Sequence, residues 1–132
     1  MNTYQEYLKM PLTMTFDEMD NVHSQMLEEI GTDDIAVELY DDLFAQAKKY
    51  HAYRSNWSTW SREEKMNQDP SRTACHDSLI VKFNALSRYL RLNGKAADWR
   101  DTLGDEKENP YIRKRIGDFA CYLICIDSIS SR

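Results

Sequence analysis

Three histidines are the residues of this chain best suited to chemistry, and each falls in a separate stretch of helical periodicity. At about 100° per residue, His23, His51 and His76 stand on, or at the edge of, an apolar helix face. Three inward imidazoles joined by a carboxylate could hold a metal ion that activates water. No His-x3-His or Glu-x2-His pair occurs, however, and single histidines on separate helices are more often hydrogen-bonded core residues. The three cysteines read the same way. Cys121 and Cys125 are one helical turn apart and Cys75 adjoins His76, but the short Cys-x2-Cys knuckle of zinc modules is missing. Buried, reduced thiols acting as small apolar residues are expected, with no cofactor.

Binding surfaces are the other class of candidate. Tyr50, Tyr53, Trp57 and Trp60 recur at three- and four-residue steps among Lys48, Lys49, Arg54 and Arg62. Aromatics interleaved with bases can stack on single-stranded nucleic acid. Residues 1–70, however, hold 6 Lys/Arg against 14 Asp/Glu, a balance of −8, which disfavours a polyanion. Core packing is the first reading of Trp57 and Trp60, and a protein-binding hot spot the second. Asp33, Asp34, Asp41 and Asp42 form an acidic cluster in the same half. In the +3 second half, Asp77, Asn84, Arg88 and Arg91 share one polar sector that could take an anion or an acidic partner, or be a solvated flank. Arg113-Lys114-Arg115 is too short a basic run to signal nucleic acid and could face the acidic cluster.

Helices must position all of these residues. With 132 residues, 4 Gly and 3 Pro, the chain suits one domain of long helices, 1–132, behind an irregular lead-in at 1–14. Thr15-Phe16-Asp17-Glu18 is a capping box, followed by Met19, Val22, Met26 and Ile30 at helical spacing, with Gly31 as the stop. Thr32 is the expected N-cap of a second helix reaching about Asn56, with Ala36, Leu39, Tyr40, Leu43, Ala47 and Tyr50 inward. Ser61-Arg62-Glu63-Glu64 opens a short helix to about Asn67, and Asp69-Pro70 starts a third long one that Gly94 ends. A short turn spans 97–103, and Asn109-Pro110 begins a last helix that runs to about Ser128. Gly117 within it suggests close approach by another backbone. The expected fold is all-α, an antiparallel bundle of four long helices with one or two short ones.

Two resemblances bear on function. The order His51, His76-Asp77, Asp118 is similar to that of the HD-type metal phosphohydrolases, which implies a metal site at those four residues and catalytic roles for His76 and Asp77. Ser78-Leu79-Ile80 departs from the segment usual after the His-Asp pair, and the chain is short for that fold. Separately, Arg72-x3-His76-Asp77-x-Leu79-Ile80-x3-Asn84-x-Leu86-x-Arg88 and Ile116-Gly117-Asp118-Phe119-Ala120 resemble a small helical family of Gram-positive bacteria and mobile elements. That family lends no catalytic residues, but it implies that the third and last helices define the fold. No stretch resembles a signal peptide or a membrane span.

The sequence therefore favours a cytoplasmic, non-enzymatic protein-interaction or regulatory module. The expected partner is a protein, a basic one, met by Asp33, Asp34, Asp41, Asp42, Trp57, Trp60, Arg88 and Arg91; a homodimer is an alternative, and nucleic acid and membrane are disfavoured. The metal phosphohydrolase is the alternative.

Overall fold

The computed structural model describes residues 14–57, 59–104 and 113–130, with side chains in the last segment at 115–126. The described residues hold helices and no strand: α1 (Phe16–Ile30), α2 (Asp34–Trp57), α3 (Arg62–Leu92), the single turn α4 (Asp98–Thr102) and α5 (Arg113–Ser130). None is long and apolar enough to cross a membrane. The lead-in before Met14 and the Asn109-Pro110 start signal lie outside the described residues.

α1 begins where expected. The Thr15 hydroxyl accepts from the Glu18 N–H at 3.1 Å, and the Glu18 carboxylate accepts from the Thr15 N–H at 3.0 Å, closing the capping box. Met19, Val22, Met26 and Ile30 form its buried stripe. Gly31 ends the helix at a φ of 51°, where a side chain would be strained.

The cap of α2 is Asp33 rather than Thr32. Its carboxylate accepts from the N–H groups of Ile35 and Ala36 at 2.9 and 3.1 Å. A carboxylate at the positive end of the helix dipole outcompetes a neutral hydroxyl one residue earlier.

α3 corrects the sequence reading more sharply. The expected short helix from Ser61 and the expected long helix from Pro70 are one continuous 31-residue helix. Ser61 and Glu64 complete a second capping box, at 3.1 and 3.2 Å, and the chain does not stop at Asp69. Pro70 offers no N–H to the Met66 carbonyl, but both residues are exposed, so water can satisfy the freed oxygen. Asp69, freed from capping, pairs with Arg72 at 2.9 Å.

α2 and α3 form an antiparallel pair: Asp33 meets Tyr89, Gln46 meets Cys75, and Trp57 meets Arg72. α5 lies against α2 and is buried on every side from Ile116 to Leu123. α1 meets α5 through aromatic rings, with Phe16 edge-on to Tyr122 at 5.5 Å and His23 edge-on to Phe119 at 6.4 Å. Trp99 of α4 fills the space beside α1, and its indole N–H donates to Glu29 at 2.7 Å. The other Glu29 oxygen accepts from the N–H of Ala97 at 2.9 Å. Ala97 is buried at a φ of 52°, unusual for a residue with a Cβ. Glu29 on its N–H and Arg91 on its carbonyl, at 3.2 Å, hold it there.

Candidate functional site

The residues with chemical potential divide into a buried polar cluster and two separate surface regions. The cluster lies where α2, α3 and α5 meet. Arg54 continues the inward register of Leu43, Ala47 and Tyr50 on α2 and forms an ion pair with Asp118 of α5, whose side chain is fully buried. Tyr50 stands beside them, its ring edge-on to His76 at 5.2 Å. Gly117 makes room for it: a Cβ there would sit 2.7 Å from the Tyr50 hydroxyl. The close approach at Gly117 is thus made by a side chain, not by a second backbone.

Electrostatics make this cluster a structural tie. Burial pushes the Tyr50 hydroxyl up, with Arg54 pulling the other way. Burial also pushes the Cys121 thiol up to about 12, opposed by Arg54. A thiol so protonated is no nucleophile near neutral pH. Cys75 shifts in the same direction for the same reason, and its sulfur accepts from Gln46 at 3.2 Å. All three cysteines are free and buried.

The four residues of the metal alternative do not assemble. His51, His76 and Asp118 are buried, whereas Asp77 is on the exposed side of α3. Asp118 is committed to Arg54, and among the described residues no three His, Cys, Asp or Glu side chains form a metal-holding group. His76 and Asp77 are adjacent in a helix and therefore point about 100° apart. His23 is half-buried at the junction of α1, α2 and α5. Its Nε2 shares a hydrogen bond with the Tyr40 hydroxyl at 3.0 Å, and the Tyr122 ring is edge-on to it at 6.0 Å. The Tyr122 hydroxyl donates to Asp20 at 3.1 Å.

The residues expected to bind a partner fall in different places. Asp34, Asp41 and Asp42 are exposed on α2, joined by Glu38, which the sequence reading did not single out. Their spacing of i, i+4, i+7 and i+8 puts them on one stripe opposite the buried one. Asp33 is occupied: beyond its capping bonds it accepts from the Tyr89 hydroxyl at 2.8 and 3.0 Å. Trp57 and Trp60 lie at the other end of α2, about 24 Å along the axis from Asp41 at 1.5 Å per residue. Both are half-buried, with Trp57 6.0 Å from Trp60 and Trp60 6.3 Å from Tyr53. The Arg72 guanidinium covers Trp57 at 4.7 Å. These aromatics thus close the α2–α3 corner. Arg88 is exposed, while Arg91 binds the carbonyls of Ala96 and Ala97 and pairs with Asp101 at 3.2 Å.

The sequence reading took Arg54 only as one of the bases among the aromatics and did not single out Glu29, though a signal for each role was present. An arginine in register with Leu43, Ala47 and Tyr50 needs a buried acid opposite it. Glu29 flanks the buried Met26 and Ile30, so its carboxylate has to find donors near the core. Against known proteins, the chain matches no family model, no curated protein and no solved structure.

Proposed function

We propose that this protein is a non-enzymatic interaction module that uses the acidic face of α2 to engage a basic protein partner. The observation that carries this reading is the arrangement of Asp34, Glu38, Asp41 and Asp42 on one exposed stripe. No base lies three or four residues from any of them within α2. Asp34–Glu38 and Glu38–Asp42 are like-charge i, i+4 pairs, and Glu38–Asp41 adds an i, i+3 pair. Together they cost about 1 kcal/mol of helix stability. Asp41 and Asp42 are also beyond the first turn, where the helix dipole would reward a negative charge. A positive partner would turn this local cost into binding energy and speed encounter. Three free, buried thiols suit a reducing, cytoplasmic setting.

The test compares immobilised wild type with a variant carrying Asp34→Asn, Glu38→Gln, Asp41→Asn and Asp42→Asn, both exposed to extract of the source cell. Basic proteins retained at low salt, released as salt rises and lost with the variant are the expected result. Retention of the same proteins by both forms would remove this face from the function.

A further inference from the structure

The outward face of α3 is a second surface that is exposed among the described residues, and its pattern is different. Ala74, Ser78, Val81, Ala85, Arg88 and Leu92 follow one another at alternating four- and three-residue steps. That is the spacing of a coiled-coil seam. The stripe lies opposite Leu79, Phe83, Leu86 and Leu90, which α3 buries in the core. It nevertheless displays Val81 at 63% and Leu92 at 79% exposure. Most of its other members are small, which lets a second helix axis approach to about 8 Å.

The charges beside the seam distinguish one way of covering it. Asp77 flanks its first half and Arg88 stands in its second. A parallel copy of α3 in register would set Asp77 on Asp77 and Arg88 on Arg88. In an antiparallel copy related by a two-fold axis near residue 83, Val81 faces Ala85, Ala74 faces Leu92, and Asp77 lies beside Arg88. The symmetry repeats each contact, so two opposite-charge pairs form together. The acidic stripe of α2 has no such self-complementarity.

We infer that α3 is the interface of an antiparallel, two-fold homodimer, with reciprocal ion pairs between Arg88 of the seam and Asp77 beside it. The inference is independent of the α2 reading, since it uses another face of the molecule. From Ala74 to Leu92 the seam is about 27 Å long at 1.5 Å per residue. An interface of that size is at the small end, so dimerisation that depends on concentration is expected.

Sedimentation equilibrium from about 1 to 500 μM tests it, using the full chain, with circular dichroism showing that each variant keeps its helices. Wild type should pass from monomer to dimer across that range, and Ala85→Glu should remain monomeric. Asp77→Arg or Arg88→Asp alone should weaken the dimer at least tenfold, and the two together should restore it to within about threefold. Monomer at every concentration, or a dimer indifferent to Ala85→Glu, would overturn the interface. A double variant no tighter than either single one would overturn the antiparallel register.

Discussion

At the scale of the residue, His23 shows what an inward position does and does not reveal. Its place at the edge of an apolar face was legible from spacing. Its partners, Tyr40 from α2 and the ring of Tyr122 from α5, were not, because they come from distant parts of the chain. Burial holds its imidazole below the ordinary value of 6.5, and Asp20 opposes this more weakly. The folded state therefore resists a proton that the unfolded chain accepts. The stability this neutral imidazole contributes is fully present above the unfolded value and is lost as pH falls below it towards the folded one. The stability advantage of wild type over His23→Gln should accordingly shrink between about pH 7.5 and pH 5 in denaturant titrations. A constant difference across that range would show that His23 does not couple to folding.

At the scale of the element, local signals marked most helix ends but not the continuity between them. Both capping boxes, at Thr15 and Ser61, form as the sequence indicates, because each is a bargain struck within four residues. Asp69-Pro70 carries an equally local start signal, yet α3 runs through it. A proline is expensive inside a helix, but a helix already running on both sides and exposed at that point can absorb it. Pro70→Ala should therefore stabilise the protein by about 1–3 kcal/mol: the regained hydrogen bond and lost ring clash outweigh the greater freedom of the unfolded chain. Chemical denaturation measures this directly. A loss of stability would mean instead that Pro70 sets the path of α3 towards the Arg72–Trp57 contact.

At the scale of the whole molecule, the Arg54–Asp118 pair ties α2 to α5 through the most buried part of the fold. Removing one partner strands a charge in a medium that cannot solvate it. Arg54→Met should cost about 3 kcal/mol, near the low end for buried pairs because Arg54 keeps a 20% exposed side chain. Adding Asp118→Leu should recover much of that loss in thermal unfolding. A double variant as unstable as the single one would show that packing of the Arg54 stem, rather than its charge, holds the two helices.

By itself the sequence determined the all-α class, the inward stripes of Met19, Val22, Met26 and Ile30 and of Ala36, Leu43, Ala47 and Tyr50, and the burial of the cysteines. Each of these follows from a period of 3.6 residues or from a side chain's own cost in water, and both can be read within one helix. Tertiary structure decided which helices meet. It put Asp118 against Arg54, took Asp33 and Arg91 into contacts with Tyr89 and the Ala96–Ala97 carbonyls, and buried His51 and Asp118 while leaving Asp77 on the exposed side of α3. Periodicity gives the face on which a residue stands. Which face of another helix it meets depends on packing that minimises exposed apolar area over the entire chain, and no local window contains that sum.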